Sequence, residues 1–96
     1  IKASDRLVSA ASATTSALAL MLDVLDRAFG VEYAMMTTIH AYTSDQPLRN
    51  TAASDFRRSR SAAENIIPNV NISPYWMEQI LPRFKGKIEG SALNVP

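Results

Sequence analysis

Residues 12–43 read Ser-Ala-Thr-Thr-Ser-Ala-Leu-Ala-Leu-Met-Leu-Asp-Val-Leu-Asp-Arg-Ala-Phe-Gly-Val-Glu-Tyr-Ala-Met-Met-Thr-Thr-Ile-His-Ala-Tyr-Thr, and a change of period inside this stretch decides the fold. From Ser12 to Phe29 the apolar residues Ala17, Leu18, Met21, Leu22, Val24, Leu25, Ala28 and Phe29 recur three and four apart. A helix puts them on one wide face. Ser12 is placed to cap the orphan amides of its first turn, Gly30 stands in the C-terminal capping position, and Asp23 with Arg27 forms an i,i+4 pair on the wet side. From Val31 to His40 the period falls to two, with Val31, Tyr33, Met35, Thr37 and Ile39 alternating against Glu32, Ala34, Met36, Thr38 and His40. This predicts a strand that delivers His40 to its end.

Beyond the strand, residues 41–63 are polar and broken by Pro47 and Arg49-Asn50-Thr51. A loop of that length inside a compact unit is usually functional or an interface. Ile66-Ile67-Pro68 is a short apolar piece. Ser73-Pro74 then supplies an N-cap and a proline at the first helical position of a short helix, with Trp76, Met77, Ile80 and Leu81 expected inward and Pro82 ending it. Lys85-Gly86-Lys87 reads as a turn into a final strand, Ile88 to Val95. The elements thus run helix, strand, long loop, short helix and strand.

With 96 residues, 47% apolar and 20% charged, the chain suits one globular unit. A unit of this size buries only about 60–65% of its unfolded surface, so a lone core is marginal and partner chains are expected, most simply further copies of the same chain. The net charge of +1 argues against nucleic acid, and no apolar run reaches the length of a membrane span. The first residues, Ile1-Lys2-Ala3-Ser4-Asp5-Arg6, lack the apolar stretch of a signal peptide, and a cytoplasmic location is expected. There is no cysteine, which excludes disulfides and thiolate metal sites, and no metal site is expected.

Three features could carry chemistry. His40 is the sole imidazole, at a strand end, where it could act as a general base or simply hold structure. Arg57, Arg58 and Arg60 could grip a phosphate or carboxylate, or pair with Asp55 and Glu64 in a solvated loop. Ser12-Ala13-Thr14-Thr15 lies at a helix N-terminus, where amides and the macrodipole favour an anion or lower a thiol's pKa.

Three blocks occur in order: Ala-Ser-Ala-Thr-Thr-Ser at 11–16, Thr-Thr-Ile-His-Ala-Tyr-Thr at 37–43 and Asp-Phe-Arg-Arg-Ser-Arg-Ser-Ala-Ala-Glu-Asn-Ile-Ile-Pro at 55–68. Together they make the chain resemble the catalytic domain of phosphorylating glyceraldehyde-3-phosphate dehydrogenase, an NAD- or NADP-dependent oxidoreductase of glycolysis. The resemblance implies an α+β segment of that C-terminal domain over residues 1–96, with helices packed on a mixed, mainly antiparallel sheet. It implies that His40 occupies the place of the proton-accepting histidine. Thr43 falls on a position that hydrogen-bonds the substrate phosphate and Arg58 on one that contacts the inorganic-phosphate site, while Ser12 and Thr14 flank the nucleophile and could help bind an anion. That nucleophile is a cysteine in the family, and Ala13 stands in its place. A methyl group cannot attack an aldehyde.

Other positions also depart from the family pattern. Ala10, Ser16 and Ala17 replace two asparagines and a second cysteine, Asn71-Ile72 replaces a phosphate-contacting Thr-Gly, and Asn94 replaces the arginine before Val-Pro. The glycines are Gly30, Gly86 and Gly90, so no Gly-rich loop offers a pyrophosphate cradle, and the nucleotide-binding domain is expected to be absent from this chain. NAD or NADP therefore belongs to the family, with neither expected to bind this chain alone. The expected ligand is phosphate or a phosphorylated small molecule. Three readings follow: an inactive relative that binds an anion or oligomerises, an engineered cysteine-free or trapped form of a working dehydrogenase, and a purely structural fragment.

Overall fold

Ala13–Phe29 form helix α1 in the computed structural model, which describes residues 1–10 and 12–96. Ala11, which opens the first sequence block, lies outside the described residues. The caps are those the sequence implies. Ser12 Oγ accepts the Thr15 amide at 3.2 Å, and Gly30, at φ 73°, donates its N–H to the Asp26 carbonyl at 2.9 Å. The wide apolar face, however, is covered along one edge only. Leu22 is buried with Leu18 and Ala19 beside it, whereas Leu20, Met21, Val24, Leu25 and Phe29 are exposed.

Three strands form one sheet: β1 (Ala34–Ala41), β2 (Ile67–Asn69) and β3 (Ile88–Val95), in the order β1-β3-β2. β1 starts three residues later than the alternation predicts. The Val31 amide is bonded to Asp26 Oδ1 at 2.9 Å, which ties that residue to the end of α1 instead of to the sheet. The α+β class and the mixed sheet stand, but the expected balance of pairing is reversed within these strands. The long ladder, Ala34↔Ile88 to Ala41↔Val95, is parallel, and only the short one, Ile67↔Asn94 to Asn69↔Ala92, is antiparallel. The physical reason is the connection: the loop, β2 and the second helix lie between β1 and β3, and a crossover of that length permits parallel pairing.

Helix α2 (Ser73–Ile80) leads through a 3₁₀ turn (Pro82–Phe84) into the turn at Gly86 and so to β3. Its start is shifted by one residue from the expected cap. Ile72 is the N-cap, and the Ser73 amide is satisfied by Asn71 Oδ1 at 3.0 Å. Of the four residues expected inward, Met77 is fully buried and Leu81 is packed against the core. Trp76 and Ile80 are 44% and 53% exposed, because α1 and the sheet meet only one side of this short helix.

The core is small: Leu22, Met77, Phe84 and Ile88, flanked by Leu18, Ala19, Val31, Ala34 and Leu81. The molecule measures 45 × 37 × 19 Å with a radius of gyration of 16.6 Å, against roughly 13 Å for a compact domain of this length. It is a slab with uncovered apolar faces.

Candidate active site

Strand alternation sets the first element of the site. Even-numbered residues of β1 and β3 share the better-covered face, so His40 is the ladder partner of Asn94 at the open end of the sheet. His40 itself is exposed, one residue before the strand ends. Asn94 is buried and donates its amide to Gln46 Oε1, which also accepts the Thr43 amide at 3.2 Å. Gln46, buried although it lies in a loop, thereby fastens the segment that follows His40 onto β3.

Thr43 is the next element. Its hydroxyl donates to Asp45 Oδ1, while Asp45 Oδ2 accepts from the Arg58 guanidinium. One carboxylate thus holds two of the residues that the resemblance assigns to phosphate. Both bonds hold the Asp45 carboxyl below its ordinary range, the Thr43 hydroxyl being the largest influence and Arg58 adding to it against the opposing effect of desolvation. Asp55 Oδ1 accepts the backbone amides of Arg57 and Arg58, which sets the turn that presents the arginine. Behind it, Ser61 Oγ donates to the Leu48 carbonyl, Asn50 Oδ1 accepts the Ser61 amide, and Ala62 N–H reaches the Pro47 carbonyl. The polar loop is therefore ordered by its own side chains around a pocket of about 570 Å³ lined by Ser44, Asp45, Gln46, Asp55 and Arg58 among others. Arg57 and Arg60 point to other surface hollows, beside the exposed Phe56.

The third element is the start of α1. Ala13 is the first helical residue, so a side chain there sits at the positive end of the dipole. Ser12 before it has φ 74°, the only non-glycine residue with positive φ among those described. A residue held in this region costs about 1–3 kcal/mol and persists only when its surroundings enforce it. Here they do: Ser12 Oγ donates to Thr15 Oγ1 at 2.7 Å, and Thr15 Oγ1 donates to Ser73 Oγ at 3.0 Å, linking the starts of α1 and α2. Thr14 is half-buried in the same turn.

The predicted residues therefore fall into two groups. His40, Thr43 and Arg58 are connected through Asn94, Gln46 and Asp45, while Ser12 lines a separate pocket of about 430 Å³ with Ser9, Thr15, Ile72, Trp76 and Ile80. Among the described residues, no side-chain hydrogen bond or ion pair joins His40 or Arg58 to the start of α1. Asp45 and Gln46 carry no signal in the sequence, and Thr15 and Ser73 stand out there only as helix-start residues. Their roles depend on partners up to 58 residues away, which no local period reports.

A sequence profile described as "Glyceraldehyde 3-phosphate dehydrogenase, C-terminal domain" matches residues 12–96. The chain belongs to this family. It is 45% identical over 94 residues to the glyceraldehyde-3-phosphate dehydrogenase of Streptomyces coelicolor and 44% identical over 94 residues to glyceraldehyde-3-phosphate dehydrogenase 1 of Bacillus subtilis, covering 98% of this chain in each case. The enzyme of that name from Mycobacterium tuberculosis is 45% identical over 93 residues. The chain spans 28% of the length of the first two relatives, so it corresponds to a segment of the glyceraldehyde-3-phosphate dehydrogenase C-terminal domain. Within it, Gly30 ends a helix, Gly86 makes a turn, and Gly90 lies inside β3 against Pro74 and Asn71. Among the described residues no helix is long and apolar enough to cross a membrane.

Proposed function

We propose that this segment retains the anion-holding part of a glyceraldehyde-3-phosphate dehydrogenase catalytic site without its covalent chemistry. The observation that carries this reading is the convergence of Thr43 and Arg58 on a single carboxylate, that of Asp45. Two donors that grip a carboxylate from two sides have the arrangement that grips a phosphate oxygen pair. His40 is given the proton-accepting role by its match to the family's histidine, and Ser12 and Thr14 offer helix-start hydroxyls near Ala13. With alanine at that position there is no nucleophile and no acyl intermediate, so the isolated chain oxidises no aldehyde.

The ligand on this reading is inorganic phosphate or a phosphorylated small molecule in a cytoplasmic setting. NAD or NADP serves the family, and neither is assigned to residues 1–96 by themselves, which form part of a catalytic domain. An engineered cysteine-free form of a working dehydrogenase would explain Ala13 and Ala17 but leaves Ala10 and Ser16 unexplained. A second role, assembly with further copies, is favoured by the uncovered stripe of Leu20, Met21, Val24 and Leu25 on α1. The test is thermal unfolding with and without phosphate. At a hundredfold excess over the dissociation constant, binding should add about 2.7 kcal/mol of stability, and Arg58→Ala should abolish the gain. An unchanged melting curve, or an equal gain in Arg58→Ala, overturns the reading.

A further inference from the structure

We infer that Ser73, at the start of α2, is a positioning residue for the nucleophile position at Ala13: acting through Thr15, it holds Ser12 in its left-handed conformation and thereby fixes the peptide that leads into the first turn of α1. This rests on the reading of Ala13 as the family's nucleophile position. Ser12 is exposed, so packing does not keep it at φ 74° and ψ 85°, and N-cap residues ordinarily sit in the β region. Two bonds to Thr15 keep it there. Ser12 Oγ accepts the Thr15 amide at 3.2 Å and donates to Thr15 Oγ1 at 2.7 Å. Thr15 has a single hydroxyl proton, which goes to Ser73 Oγ at 3.0 Å and leaves the Thr15 oxygen facing Ser12 as an acceptor. Thr15 and Ser73 are both buried, so water does not replace either partner.

The Ser73 hydroxyl is not spent on capping its own helix. Ile72 is the N-cap of α2, and the Ser73 amide is already bonded to Asn71 Oδ1 at 3.0 Å. Without the Ser73 oxygen, the Thr15 hydroxyl turns to a carbonyl of the preceding turn, as helical threonines do, and Ser12 loses the acceptor that enforces its conformation. The peptide between Ser12 and Ala13 then relaxes, and with it the aim of the first-turn amides of Ala13 and Thr14, which have no intrahelical acceptor. Those amides are what a negatively charged atom at position 13 meets. The same bond spaces the walls of the cavity of about 430 Å³ that Ser12 lines, with Thr15 on the α1 side and Ile72, Trp76 and Ile80 on the α2 side.

The experiment measures the thiol pKa of full-chain Ala13→Cys from the pH dependence of iodoacetamide alkylation, alone and combined with Ser73→Ala, Thr15→Val, both together, Ser73→Thr or Ile88→Val. It is run in sucrose, which favours the folded state, with folding checked by circular dichroism. Ser73→Ala and Thr15→Val cut the hydroxyl chain at its two ends, so either one serves if the other fails to fold. Each should raise the pKa by about half a unit, a loss of roughly threefold in thiolate near neutral pH, and the two together should raise it no further. Ser73→Thr keeps the hydroxyl and should leave the value low, as should Ile88→Val, which trims the core. An unchanged value in Ser73→Ala and Thr15→Val overturns the inference and leaves the nucleophile position standing. A rise of the same size in Ser73→Thr or Ile88→Val reduces the effect to general loosening and also overturns it. An ordinary value of about 8.5 in Ala13→Cys itself removes the reading of that position and this inference together.

Discussion

Thr15 and Ser73, 58 residues apart, are both buried and joined by a 3.0 Å hydrogen bond from Thr15 Oγ1 to Ser73 Oγ. The same Thr15 oxygen accepts from Ser12 Oγ, so a chain of hydroxyls fixes the start of α1 against the start of α2 and holds Ser12 at its positive φ. Leaving one buried hydroxyl without its partner costs about 1–3 kcal/mol. Ser73→Ala should destabilise the chain by that amount in urea unfolding. An unchanged midpoint would mean that the hydroxyl chain contributes nothing to holding the helix starts.

The packing account ranks side chains that the sequence pattern treats alike. Met77 and Phe84 are 0% and 1% exposed, so Met77→Ala should cost about 2–5 kcal/mol and Phe84→Ala about 3–5 kcal/mol. In so small a core either loss should abolish the cooperative transition. Trp76→Ala and Ile80→Ala, on the open side of α2, should cost clearly less. Melting curves of the four variants check the order, and a Trp76 or Ile80 loss as large as that of Met77 would show that α2 is covered on its other side in solution.

What could be read in advance follows the range of the interactions. α1 was legible from its three- and four-residue spacing and from Ser12 and Gly30, because helix caps and faces are local. β3, Ile88–Val95, was legible for the same reason. The shift at the start of α2 was not. The Ser73 hydroxyl looked like a cap for its own helix but meets Thr15 of α1, and Asn71 takes over the capping. Trp76 and Ile80 were misplaced because a period reveals which residues share a face but not whether anything covers it. In the site, His40, Thr43 and Arg58 were visible through the family pattern. Asp45 and Gln46, two ordinary loop residues, acquire their roles only when Arg58 and Asn94 are brought to them.

Acid should weaken the joint between α1 and the 3₁₀ turn. Arg83 bonds Asp26 at 2.6 Å and Asp23 at 2.7 Å, and it lies over the Phe84 ring at 5.0 Å. Arg83 is the first cause holding the Asp23 carboxyl below its ordinary value of 3.8. For Asp26 the first cause is the Val31 amide, with Arg83 next. Because the folded-state values are depressed, the stabilisation is complete above pH 3.8 and is lost as the pH falls through the lower folded values. Arg83→Met should move the acid unfolding midpoint upward. An acid transition identical to the parent's would remove the network from the stability of the fold.

Gly90 marks a close approach. A Cβ there would lie 2.9 Å from Pro74 Cγ and 3.0 Å from Asn71 Nδ2, on the residues that open α2. Asn71 Nδ2 also donates to the Ser91 carbonyl at 3.1 Å, so it cannot retreat without losing that bond. Gly90→Ala should destabilise by about 1–3 kcal/mol, read by urea unfolding, whereas a neutral result would show that α2 slides freely over β3.

The central claim is that the start of α1 keeps the surroundings of a nucleophile that Ala13 lacks, and restoring sulfur tests it most directly. In Ala13→Cys the thiol occupies the first helical position, at the positive end of the dipole, whereas in Ala17→Cys it lies one turn further in on an exposed face. The measurement is the pH dependence of iodoacetamide alkylation of both variants, which yields each thiol's pKa. The thiol at position 13 should titrate below the free value of about 8.5 and react rapidly near neutral pH, while that at position 17 should behave as an ordinary thiol. Equal, ordinary reactivity at both positions would contradict the claim and show that the site's electrostatics were lost along with its cysteine.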